Sequence, residues 1–136
     1  MRKIGLILLF FTFTVGLAVA QAPEDKARLA AEQWIVLVDD GQYEQSWKEA
    51  SKIFRDALSS PDWQKKAETD RSHLGQKQSR KLKDLKLGPT VKGLPAGQYV
   101  QVKYQSSYAN KKVALETVTA VLEPDGNWRV AAYSIN

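Results

Sequence analysis

Apolar and polar positions alternate through three consecutive runs at the end of the chain, Gln98–Ser107, Lys112–Glu123 and Trp128–Asn136. Period-two alternation, rich in β-branched and aromatic residues, predicts three strands. Tight turns join them. With Asn110–Lys111 as a two-residue loop, Tyr104 faces Thr117, Val102 faces Thr119 and Val100 faces Val121. The turn Pro124-Asp125-Gly126-Asn127 reads in two ways. An Asp-Gly type I′ loop sets Val121 opposite Val130, whereas a type I turn with Gly126 in a left-handed bulge shifts the pairing by one.

A shift of one exchanges the faces of a strand. The first register is preferred, because it gathers Val100, Val102, Tyr104, Val113, Leu115, Val121, Trp128 and Val130 on one side for helices to cover. It leaves Tyr99, Val118, Ala120, Leu122, Ala131, Tyr133 and Ile135 on the other, ringed by Lys103, Gln105, Glu116 and Arg129. A rimmed apolar patch has the look of a contact surface. It predicts a homodimer, or another protein partner, on the outer sheet face. The bulged turn would instead send Trp128 and Val130 outward and Tyr133 inward.

Before the strands the period changes to that of a helix. Ala27, Ala31, Trp34 and Val38 form a stripe that Ala30 and Leu37 widen, closed by Asp39-Asp40-Gly41. An acidic pair there opposes the helix dipole. Tyr43, Trp47 and Ala50 mark a second helix over Gln42–Ala50, and Ile53, Phe54, Ala57 and Leu58 extend it or form a separate turn. Ser60-Pro61-Asp62 reads as N-cap, first position and acidic first turn of a helix that stops near Gly75. Leu82, Leu85 and Leu87 mark an irregular strand in which the alternation breaks once, as at a bulge.

Charge and composition narrow the class. Arg2 and Lys3 precede an uncharged run from Ile4 to Val19, and Ala18-Val19-Ala20 suits a signal peptidase. The expectation is a signal peptide over residues 1–20, one domain over 21–136, and a periplasmic or secreted product with no membrane anchor after cleavage. Without Arg2 and Lys3 there are 18 basic side chains against 15 acidic. Between Lys65 and Lys92 nine bases face three acids. That stretch reads as an anion-binding face or, more simply, as a solvated edge that resists aggregation. No aromatic lies between Trp63 and Tyr99, so no nucleic-acid partner is expected. There is no cysteine, so neither a disulfide nor a lipidated terminus is available.

The ordered set Trp34, Asp39, Gly41, Tyr43, Trp47, Trp63, Arg71, Leu74, Gly75 and Arg80 continues with Gly97-x-Tyr99-Val100 and Glu116-x-Val118-Thr119. It closes with Asp125-Gly126-x-Trp128-Arg129-Val130 and Tyr133. In this order the chain resembles the DUF4019 family of exported bacterial proteins. Its outline, three helices and then a four-stranded meander, is similar to the cystatin-like roll typified by nuclear transport factor 2. The resemblance implies an α+β fold, N-terminal helices packed on a curved four-stranded antiparallel sheet, and no established activity.

Some rolls of this kind house enzymes, with an acid, tyrosine or histidine inside the cone between helices and sheet. By that likeness Glu116 and Tyr133 are the candidates here, with Arg71 and Arg80 as anion clamps. In the preferred register, however, Glu116 lies on the face away from the apolar cluster, where a cross-strand pair with Lys103 or Gln105 is the simpler role. His73, the single histidine, has no orienting partner nearby in sequence, and with no cysteine no zinc set is expected. No phosphate or dinucleotide loop is present, so no cofactor is expected. Trp34, Tyr43, Trp47, Phe54, Trp63, Tyr104 and Trp128 either fill a core or line a pocket for a small hydrophobic ligand. The reading is an exported, non-catalytic binding or interaction module. Its rival is a cone-pocket enzyme, isomerase- or dehydratase-like, acting on a hydrophobic substrate.

Overall fold

The computed structural model describes residues 15–17 and 21–136. The expected signal peptide and its cleavage site at Ala20 therefore lie almost wholly outside the described residues. Among the described residues no helix is long and apolar enough to cross a membrane.

Helix α1, Pro23–Asp39, opens with Pro at its N-terminus and Glu24 and Asp25 in the first turn, where the dipole favours them. Its stripe buries Ala27, Ala31, Trp34, Ile35 and Val38. Gly41, at φ 74°, ends it. Gly41 N–H reaches the Val38 carbonyl at 3.1 Å and Gln42 N–H the Leu37 carbonyl at 2.8 Å, the paired bonds of a left-handed helix stop.

Three shorter helices follow: α2 (Tyr43–Glu49), α3 (Lys52–Ala57) and α4 (Ser60–Arg71). There are thus four helices where three were expected, because Ser51 caps a new one by accepting from Phe54 N–H. The cap of α4 is Ser59, one residue before the expected Ser60; its hydroxyl accepts from Asp62 N–H at 3.2 Å.

The four strands β1 (Lys77–Gly88), β2 (Tyr99–Tyr108), β3 (Lys111–Leu122) and β4 (Trp128–Ile135) form one antiparallel sheet in chain order. The α+β class is as expected. Both expected registers need correction. The β2–β3 turn is Ala109–Asn110, one residue early, and an irregularity between Ser106 and Tyr108 shifts the pairing by one, so Tyr104 pairs with Glu116, Val102 with Val118 and Val100 with Ala120. Tertiary contact fixes this turn: Ala109 N–H bonds the Gln76 carbonyl and Asn110 N–H the Leu74 carbonyl, at 2.9 and 2.8 Å.

At the next hairpin the type I turn with a glycine bulge is the one present. Gly126 N–H reaches the Glu123 carbonyl at 2.9 Å, Gly126 has φ 84°, and Val121 pairs with Arg129. A further irregularity between Thr119 and Ala120 shifts the pairing again, from Ala120–Val130 to Thr119–Ala132. Ala131 is the extra residue. It lets both Val130 and Tyr133 enter the main core, which neither simple register allows.

That core lies between α1–α4 and the sheet. Trp34, Phe54 and Trp63 pack edge-on or tilted with centroids 5.0–5.7 Å apart, and Tyr133 closes the group at 5.7 Å from Trp34. Buried Ser46 serves both indoles: its carbonyl accepts from Trp34 and its hydroxyl from Trp63. The aromatic set is core, with Tyr43, Trp47 and Trp128 at its margin.

The outer face is not the apolar patch expected, since Val118, Ala120 and Tyr133 point inward. The remaining apolar group there, Tyr99, Val121 and Ala131, is packed under Val91 and Leu94 of the β1–β2 loop. Tyr99 hydroxyl donates to the Pro95 carbonyl.

Candidate functional site

The register correction turns Glu116 inward. It is 0% exposed, at the end of the core where β1, β2 and β3 meet the C-terminus of α1. Its Oε1 accepts from Arg80 Nε at 3.1 Å and Nη2 at 2.9 Å, from Tyr108 hydroxyl at 2.8 Å and from Ser106 hydroxyl. Its Oε2 accepts from Tyr133 hydroxyl at 2.6 Å. Arg80 then bridges to a second carboxylate, with Nη1 and Nη2 at 2.6 and 2.9 Å from the two oxygens of Asp39. Arg71, from the last turn of α4, also donates to Asp39, and reaches Tyr108 hydroxyl at 3.2 Å. Lys77 approaches Asp39 at 3.4 Å.

All four residues singled out from the sequence, Arg71, Arg80, Glu116 and Tyr133, thus belong to one network. The expected place of Glu116 on the outer face is overturned. Polar side chains buried together in this way must satisfy one another.

Three members were not singled out as site residues: Asp39, Tyr108 and Ser106. Asp39 did leave a trace, since an acid at a helix C-terminus is unfavourable until a cation answers it. Two guanidiniums do. Tyr108 and Ser106 carried no signal, because their role depends on β2 ending beside Glu116.

Electrostatics follow the contacts. Burial pushes the Glu116 carboxyl up, but the Arg80 charge and the hydroxyls of Ser106, Tyr133 and Tyr108 outweigh it and hold it below its ordinary value. Asp39 is likewise raised by burial and lowered further by Arg80 and Arg71. Burial, and then the Glu116 charge, push Tyr133 and Tyr108 well up. Burial lifts Tyr104 to about 12. A saturated, ionised, enclosed carboxylate is poorly placed to take a proton from a substrate, and a tyrosine whose hydroxyl is committed to it and whose pKa is raised gives its proton up poorly.

Beside the network an open cleft of about 510 Å³ reaches the surface, lined by Asp39, Tyr43, Glu68, Arg71, Lys77 and Tyr108 among others. The Arg71 side chain is 10% exposed there and that of Lys77 37%. Asp40 and Glu68 bring opposite charge to the same rim. One nitrogen of Arg71, Nη1, is buried without a protein partner. His73 lies elsewhere, in a smaller recess with Asp70, Lys111 and Ile135. Among the described residues no group of three or more His, Cys, Asp or Glu side chains is placed to hold a metal.

Fold and site together define an α+β domain: helices on one face of a four-stranded meander, with a buried two-carboxylate, two-guanidinium network at one end. The chain matches the model of DUF4019, a family of proteins of unknown function, over residues 30–133, and it belongs to that family. No curated protein matches it.

Proposed function

We propose that this protein is an exported, non-catalytic binding module of the roll typified by nuclear transport factor 2, and that its ligand seat is the open cleft beside Asp39 and Arg71. The state of Glu116 carries this reading. The best-placed acid in the interior is enclosed and saturated by five hydrogen bonds from four residues, so the network serves as the wall of the cleft. The region between helices and sheet is filled by Trp34, Phe54, Trp63 and Tyr133, which argues against a seat for a hydrophobic substrate there.

The cleft presents both charges, Arg71 and Lys77 together with Asp40 and Glu68, and the rings of Tyr43 and Tyr108 line it as well. Its ligand is a small zwitterion or a peptide segment, not an apolar molecule. A thermal-shift survey of amino acids, short peptides, neutral sugars and apolar compounds tests this. A ligand at one hundred times its Kd adds about 2.7 kcal/mol, which is a shift of several degrees. Charged compounds should raise Tm in the wild type, and Lys77→Gln with Glu68→Gln should abolish the rise. Stabilisation by apolar compounds alone, or turnover of any bound compound, would overturn the reading.

A further inference from the structure

The bases and acids of this chain are sorted between its two layers. Residues 76–115 hold nine bases and one acid, whereas residues 21–75 hold eight bases and eleven acids. Of the nine, Lys77 and Arg80 are held at Asp39. Among the described residues the other seven, all lysines, make no ion pair.

Register places three of them, Lys81, Lys86 and Lys103, and Lys83 stands exposed at the bulge beside them. Across the outer face run the rows Lys81–Gln105–Leu115, Asp84–Lys103–Thr117 and Lys86–Gln101–Thr119. A bulge between Leu82 and Asp84 produces this arrangement. Unbroken alternation would put Lys81 and Lys83 on one face with Leu85 and Leu87. The extra residue, Lys83, returns Leu85 and Leu87 to the side of Val102 and Val100 and leaves Lys81 and Lys86 outward. Lys81, Lys83, Lys86 and Lys103 are all exposed.

Edge protection accounts for lysines on β1, the open edge of the sheet. It does not account for Lys103, which stands on interior strand β2 and faces the same way. We propose that this outer face docks on an anionic phospholipid surface.

Three features select that partner. The four cations are lysines, point charges suited to a diffuse layer of headgroups, with no arginine fork for one phosphate. None of them lines any of the clefts described above, so the face offers a plane and not a seat for a small anion. Val113 and Leu115 stand exposed beside the lysines, 55% and 42%, as apolar contacts at headgroup depth. A single-stranded nucleic acid would need stacking rings, and Tyr99 is buried under the loop while Tyr104 faces the core. The acid-rich helices point away, so the charge asymmetry orients the molecule as well as attracting it.

Co-sedimentation of residues 21–136 with vesicles tests the docking. Phosphatidylglycerol–phosphatidylcholine vesicles should bind the protein, pure phosphatidylcholine should not, and added salt should release it. Replacing the four lysines by Gln should weaken binding about fivefold each, on the order of a hundredfold or more together. As these side chains are exposed, Tm should not change. The control Lys26→Gln with Lys65→Gln removes charge from the helices, and should leave most of the binding. Equal loss per charge in the control, binding to neutral vesicles, or no binding at low salt would overturn the proposal. So would a preference for single-stranded DNA or polyglutamate over the anionic vesicles.

Discussion

At the scale of single residues, Glu116 decides the character of the interior. Its two oxygens take five hydrogen bonds, and its charge balances Arg80, whose side chain is 10% exposed. Breaking a buried pair from one side costs about 3–5 kcal/mol, because the surviving charge keeps its burial and loses its partner. Glu116→Gln should fall in that range by urea unfolding, and Tyr133→Phe, which removes one neutral donor, nearer 1 kcal/mol. Similar losses from the two would argue against an ionised Glu116. The sign of the pH dependence follows from the same charge. Both carboxyls sit below their ordinary values, 4.5 for Glu116 and 3.8 for Asp39, in the folded chain. The unfolded chain therefore binds the protons first as pH falls. Their stabilisation is complete above these values and lost below them, so the wild-type curve should fall through pH 4. Glu116→Gln should flatten that limb.

At the scale of elements, two glycines separate backbone strain from crowding. Gly126 has φ 84° with nothing near its missing Cβ, so an alanine there meets strain alone, about 1 kcal/mol. Gly75 has φ 75°, and a Cβ on it would lie 3.0 Å from Ala109 Cβ and 3.1 Å from Asn110 Nδ2. Gly75→Ala should lower Tm clearly more than Gly126→Ala; equal shifts would mean the contact between Gly75 and the β2–β3 turn is not maintained. The strands, the α1 stripe, the β1 bulge and the need for Gly126 were all legible in the sequence, because each rests on local periodicity or turn chemistry. Registers were not. Both sides of β3 carry apolar residues, and the larger ones, Val113 and Leu115, pointed to the wrong face. The inward side holds Val118 and Ala120 in the same core cluster as the indoles of α1 and α4, and Ala114 in the cluster of Leu74 and Tyr108, and a small residue announces no such role. Glu116 looked outward for the same reason: its partner Arg80 is 36 residues away in the chain, and a buried carboxylate cannot be told from a surface one until that partner is placed.

At the scale of the whole molecule, the question is which part of the chain makes the domain. The core begins at Ala27, and α1 begins at Pro23 with Ala22 as its cap. Gln21 and Ala22 are exposed and precede the helix. Val15 and Leu17 stand 73% and 91% exposed, so neither adds to the buried core. A cut after Ala20 therefore removes no buried side chain among those described and leaves the helix start intact, with Pro23 still occupying the position that needs no N–H partner. Processing by a signal peptidase at that point is what our reading of Ala18-Val19-Ala20 proposes. Two measurements check it. Purified residues 21–136 should unfold in one cooperative transition. In a host that exports the full chain, intact-mass analysis of the periplasmic fraction should find a species beginning at Gln21. Recovery of only the uncleaved chain, in membranes, would refute the processing, and a fragment 21–136 lacking a cooperative transition would show that the preceding residues belong to the fold.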